Sequence, residues 1–167
     1  MPGVGILGKA FDLLQAYIKE SAGTLQWIYN ANWGLYVRLT APGAGTADLD
    51  IFFDIFNDPA LQTYHGQLAG FKLKYKLSAS PSGLTVAAKR VNLGYGDIND
   101  PTKIADLPLT ANDSTPLTAT GHNVEWTFKP IVLDGVNEKV SVQITFTGLP
   151  ASATLDIYGL WILPYSD

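Results

Sequence analysis

From residue 24 onward apolar side chains recur at every second position, the spacing that places them all on one side of a β-strand. In ADLDIFFDIF, residues 47–56, Leu49, Ile51, Phe53 and Ile55 share one face, opposite Asp48, Asp50, Phe52, Asp54 and Phe56. Residues 67–77 repeat the pattern, with Phe71, Leu73, Tyr75 and Leu77 opposite Lys72, Lys74 and Lys76. HNVEWTF, KVSVQITF and TLDIYGLWIL continue it through Val124, Trp126 and Phe128, then Val140, Val142, Ile144 and Phe146, then Leu155, Ile157, Gly159 and Trp161. Trp126 and Trp161 read as core. Residues 25–40 form a further strand pair about a turn at Asn30–Asn32, with Trp27, Tyr29, Trp33, Leu35, Val37 and Leu39 at odd positions, and 84–91, LTVAAKRV, a shorter strand. Connections such as APGAG, LDGVNE and TGLPASA carry turn residues. The pattern predicts a mainly β chain, an antiparallel jelly-roll-like β-sandwich of about eight strands. Residues 92–117, rich in Asn, Asp, Pro and Gly, read as one long irregular stretch.

The first 23 residues have a different period. Leu7, Phe11, Leu14 and Ile18 recur at three- and four-residue spacing, with Lys9, Asp12, Gln15, Lys19 and Glu20 between them. This predicts one amphipathic helix over 4–19, bounded by Pro2-Gly3 and Ser21–Gly23. A helix of about 15 residues is marginal alone, so its stripe must dock, on its own domain or as an anchor for assembly. The organisation expected is therefore a helical assembly segment, 1–23, and one sandwich domain, 24–167. The segment lacks a basic start and a small-residue cleavage site, and no secretory signal is expected. No apolar run reaches the roughly 18–20 residues of a bilayer-spanning helix.

Charge and residue types narrow the chemistry. Eleven basic against 15 acidic side chains give a net charge of −4, and the only arginines are Arg38 and Arg90, which argues against nucleic acid as a partner. Zero cysteines leave no disulfide framework and no thiolate site. Charged residues make up 16%, below the roughly 25% usual for globular domains, so burial against other subunits is expected. Asp48 and Asp50, two residues apart on one face, suggest a cation site or paired acid and base, but a cross-strand charge face of Asp48, Asp50 and Asp54 with Lys72, Lys74 and Lys76 accounts for them better. Asp97, Asn99 and Asp100 lack the remaining ligands of a calcium loop, and His65 and His122 stand beside glycines as turn residues. GVGILGK fails phosphate-loop spacing and no GxSxG elbow occurs. These patterns give no catalytic residues, metal or cofactor, and the chain reads as a non-enzyme.

Aromatic surface remains. Trp27, Tyr29, Trp33 and Tyr36 are candidate ligand or interface aromatics, able to stack a sugar ring or another subunit. The ending LTATGHNVEWTFKPIVLDGVNEKVSVQITFTGLPASATLDIYGLWILPY, residues 117–165, resembles the closing strands of β-sandwich modules in bacteriophage tail fibres, receptor-binding proteins, head fibres and capsid spikes, with LDIYGLWI as the late strand. The resemblance implies a virion subunit, closed into a homotrimer or other oligomer with further virion proteins as partners and a host-surface glycan as a target. The alternative, from the aromatic count, is a stand-alone carbohydrate-binding module.

Overall fold

The computed structural model describes residues 9–11, 16–32, 34–56, 67–94, 102–134 and 137–165. Through them run β1 (Lys9–Phe11), β2 (Tyr17–Glu20), β3 (Thr24–Asn30), β4 (Gly34–Thr40), β5 (Ala47–Phe56), β6 (Gln67–Leu77), β7 (Gly83–Asn92), β8 (Thr102–Leu107), β9 (Thr110–Ala111), β10 (Gly121–Val132), β11 (Glu138–Leu149) and β12 (Thr154–Pro164). Seven strands make one sheet, in the order β3-β4-β12-β6-β10-β9 with β1 added to β12. The other five make the second, β2-β5-β11-β7-β8. Every pairing is antiparallel.

The expected sandwich is what the alternation builds. Leu49, Ile51 and Ile55 of β5 and Val140, Ile144 and Phe146 of β11 are fully buried from one side. Phe71, Leu73 and Tyr75 of β6 and Leu155 and Ile157 of β12 meet them from the other. Aromatic edges lock the two layers: Phe53 stands edge-on to Phe71 at 5.6 Å and Tyr75 edge-on to Phe146 at 5.0 Å.

Three expectations change. The helix is the first, because among the described residues 9–11 and 17–20 are strands. Ile18 lies in β2, where Tyr17–Glu20 pair with Phe52–Leu49, and Phe11 lies in β1, opposite Leu160. Leu7 and Leu14 fall outside the described residues. Ladder hydrogen bonds to the edges of β5 and β12 outweigh the marginal propensity of a short helix. The Tyr17–Glu20 stretch also alternates, with Ile18 turned onto the core and Tyr17 and Lys19 exposed. Second, the aspartate and lysine rows do not face each other, since β5 and β6 lie in different sheets. Asp48, Asp50 and Asp54 are on one outer surface of the sandwich and Lys72, Lys74 and Lys76 on the opposite one. Alternation specifies which face of a strand is polar but not which sheet the strand joins. Third, 92–117 contains β8, which pairs with β7, and β9, which pairs with β10. Residues 97–100 and His65 lie outside the described residues.

Two local devices close the fold. Between β2 and β3 the chain crosses from one sheet to the other at Gly23, whose φ is +88°. A Cβ there would lie 2.2 Å from the Thr40 carbonyl oxygen. At the far end, His122 is a buried strand residue rather than a turn residue, stacked on Tyr75 at 5.0 Å. Its Nδ1 meets Asp113 Oδ2 at 2.7 Å and its Nε2 the Thr118 carbonyl at 2.9 Å, tying the 112–120 connection over the Tyr75 ring. Tyr75 donates to the Pro116 carbonyl at 2.7 Å, and burial pushes its phenol well up. The Thr115 amide, 2.7 Å from Asp113 Oδ1, holds that carboxyl below the usual aspartate range, with His122 adding to it against partial burial.

Gly23→Ala should cost about 2–4 kcal/mol, from left-handed strain plus a backbone clash, read as a lower urea midpoint with unchanged slope. For Asp113, a lowered folded pKa means stability that is present above the unfolded value of about 3.9 and lost as pH falls through the lowered one. The stability gap between the wild type and Asp113→Asn should therefore be full at neutral pH and narrow below about pH 4.

Candidate functional site

The central strand β12 does not keep its alternation. Ile157 pairs with Tyr75 and Gly159 with the very next residue outward, Lys74, which leaves Tyr158 as the extra residue of a β-bulge. Before the bulge odd residues point inward, Leu155 and Ile157. After it even residues do, Leu160 and Ile162. Trp161, expected in the core, is thereby turned onto the outer face of the seven-stranded sheet and is only half-buried.

Gly159 completes this arrangement. A Cβ on it would stand 2.4 Å from Trp161 Cη2, so only glycine lets the indole lie across the strand. Strand register then surrounds the ring with polar groups. Trp161 sits opposite Lys72 of β6, and Lys72 opposite Glu125 of β10. The Lys72 ammonium is 5.1 Å from the indole centroid and 4.0 Å from Glu125 Oε1. In the next row Gly159 sits opposite Lys74 and Lys74 opposite Asn123, with Lys74 and Asn123 both exposed.

The same face is braced toward β4. Arg38 Nε donates to Asp156 Oδ1 at 2.7 Å and its Nη2 to Oδ2 at 2.9 Å, a two-point bond. Asp156 is 5% exposed, so this pair and the Tyr158 hydroxyl, which donates to Oδ2 at 3.3 Å, compensate a buried charge. Asp156 raises the Arg38 guanidinium further above its ordinary value. Burial first, then the Asp156 charge, raises the Tyr158 phenol. The Tyr36 ring lies 5.3 Å from that of Tyr158, with the Arg38 guanidinium 5.7 Å from the Tyr36 centroid. Asp156 is thus committed to holding the face in shape, and the outward groups around Trp161 can donate and accept hydrogen bonds.

Other singled-out residues are dispersed. Trp27 and Tyr29, 46% and 71% exposed, share the inward-directed side of the β3–β4 hairpin with Leu35, 55% exposed, where the core no longer covers it. Tyr36 points to the opposite side and is buried, and Trp33 lies outside the described residues. On the far surface of the sandwich Asp48 accepts from the Gly148 amide at 2.8 Å. Asp50 accepts from Thr145 Oγ1 at 2.6 Å and Asp54 from Lys139 Nζ at 2.8 Å. That surface also has a groove of about 170 Å³ between Phe52, Lys89, Asp106 and Gln143. Among the described residues no group of three or more His, Asp or Glu is placed to hold a metal ion, and no helix is long and apolar enough to cross a membrane.

The aromatic at the centre of this face escaped the period-two reading, though a signal for it exists. Leu155 and Ile157 alternate with Asp156 and Tyr158, whereas 160–163, LWIL, is a continuous apolar run, and the glycine between the two marks where the alternation breaks.

No protein-family model matches the chain, and no curated protein does. Among solved structures, it is similar to a family 11 carbohydrate-binding module from Clostridium thermocellum in complex with a β-1,3-1,4-mixed-linked tetrasaccharide, at 10% identity and TM-score 0.43, covering 98% of this chain and 100% of that one. It is similar to the xylan-binding module CBM15 at 21% identity and TM-score 0.46, covering 98% and 99%. It also resembles the enzymatically active domain of bacteriophage CBA120 tailspike protein 4 at 8% identity and TM-score 0.42, covering 91% of this chain and 20% of that one.

Replacing Arg38 by Met strands the Asp156 carboxylate and should cost about 2–3 kcal/mol, at the low end for a broken buried pair because solvent reaches Arg38. The double variant Arg38→Met, Asp156→Leu should recover most of that loss in urea unfolding.

Proposed function

We propose that this chain is a non-catalytic sandwich that binds a glycan across the outer face of its seven-stranded sheet. One observation carries the reading: the Trp161 indole spread over Gly159, with Lys72, Lys74, Asn123 and Glu125 set around it by strand register. A pyranose ring presents an apolar C–H face and a rim of hydroxyls. The first packs on an aromatic plane, and the second needs donors and acceptors at its edge. Lys72 already stands at the ring and would exchange its cation–π contact for hydroxyl contacts when a sugar docks.

A second reading, a phage virion subunit in a closed homotrimer, is favoured by Trp27, Tyr29 and Leu35, which form an exposed apolar patch among the described residues. Under that reading the chain resides on a particle, alongside other virion proteins.

A glycan array followed by calorimetry separates the two. Trp161→Ala should weaken glycan binding at least tenfold, about 1.4 kcal/mol, with the fold retained, while Trp27→Ala should leave affinity within about twofold. An array without any binder, or a Trp161→Ala variant with wild-type affinity, would overturn the glycan reading.

A further inference from the structure

Strand edges are the part of a β-sandwich that neighbouring chains can pair with, and this protein treats its edges unequally. In the five-stranded sheet, edge strand β2 has four residues and carries Lys19 and Glu20, and edge strand β8 carries Lys103 and Asp106. At one end of the seven-stranded sheet, β9 has two residues. The other end is β3, TLQWIYN, seven residues with no charge and no proline, which among the described residues pairs only with β4. Charge, proline and short length, three of the usual devices that keep an edge from pairing, are missing from β3. In their place are Trp27 and Tyr29, 46% and 71% exposed, with Leu25 half-buried beside them.

We propose that β3 is an interface for a second copy of this chain, joined by antiparallel β3–β3 pairing about a two-fold axis at Trp27. The strand is complementary to itself in that register. Trp27 meets its own copy, Leu25 meets Tyr29, Gln26 meets Ile28 and Thr24 meets Asn30. The alternation that puts 25, 27 and 29 on one side of β3 then gathers six apolar side chains, three from each copy, on one side of the junction. No like charges oppose each other, because the strand has none. Main-chain hydrogen bonds supply association and the aromatic cluster supplies register. Leu35, opposite Tyr29 on β4, extends the apolar side of the junction.

Such a pair joins two seven-stranded sheets into one continuous sheet, and the two-fold stands perpendicular to it. Both outer faces, with their Trp161 platforms, then look the same way. This consequence rests on the glycan reading, but the pairing does not, so oligomer mass tests it alone.

The experiment is light scattering of the full chain across dilution, on the wild type and on the variant Trp27→Lys, Tyr29→Lys. The wild type should move between 18.0 kDa and twice that mass as concentration rises, and the variant should stay at 18.0 kDa with an unchanged far-ultraviolet spectrum. A wild type that is monomeric throughout, a mass of three or more copies, or a dimer that persists in a folded variant would overturn the proposal. Should the variant fail to fold, hydrogen exchange of the wild type decides. Protection of amides in Thr24–Asn30 that increases with concentration supports β3 pairing, and protection independent of concentration overturns it.

Discussion

The extra residue in β12 governs both sides of the seven-stranded sheet. This strand is bonded to β6 along one edge and to β4 and β1 along the other, so its parity determines which side chains the core receives. A regular strand carrying Leu155 and Ile157 inward would also carry Trp161 inward and expel Leu160 and Ile162. Those two are buried at 1% and 5% exposure, in a space already packed with Phe71 and Leu73. An indole there would overpack the layer, at a typical cost of about 1–3 kcal/mol. The bulge at Tyr158 avoids that and moves the largest side chain of the strand to the outer face of the sheet.

Much of the fold was legible because alternation is a local property. Leu49 to Ile55, Phe71 to Leu77 and Val140 to Phe146 are buried where period two puts them, and the hairpin at Asn30–Asn32 forms where expected, with the Asn32 amide donating to Asn30 Oδ1 at 2.8 Å. What alternation lacks is any record of partners. The aspartates of β5 and the lysines of β6 matched as a pair in sequence, yet β5 lies between β2 and β11, and Asp54 finds Lys139 instead. The N-terminal stripe failed for a related reason. Tyr17–Glu20 satisfies helical and strand spacing at once, and the free edge of β5 decided between them.

The site was legible in a different degree. Trp27 and Tyr29 are exposed as an interface or ligand aromatic must be, but the strand separates them from Tyr36, which lies on the opposite side under Tyr158. Arg38 and Asp156, 118 residues apart, meet only because β4 and β12 are neighbours in register. No local pattern contains that pairing. It holds the tilted Tyr36–Tyr158 ring pair against the sheet and so braces the face next to Trp161.

Two aromatic surfaces, half-buried at Trp161 and exposed at Trp27 and Tyr29, therefore lie on one sheet with different chemistry, and the two proposals rest on that difference. Around Trp161 the cross-strand neighbours are Lys72, Lys74, Asn123 and Glu125, each able to exchange water for a hydroxyl. On the side of Trp27 the described neighbours are Val37 across the strand pair and Leu25 and Tyr29 along β3, which have little to offer a polyhydroxyl ligand except area. Burying such area gains most when the occupant is itself apolar and the backbone edge beside it is paired at the same time, as another strand would do. A sugar leaves that edge in water, where it is already satisfied. The edge and the face thus do not compete for one ligand, and a sheet extended through β3 keeps the Trp161 face clear, since pairing adds to the end of the sheet rather than to its surface.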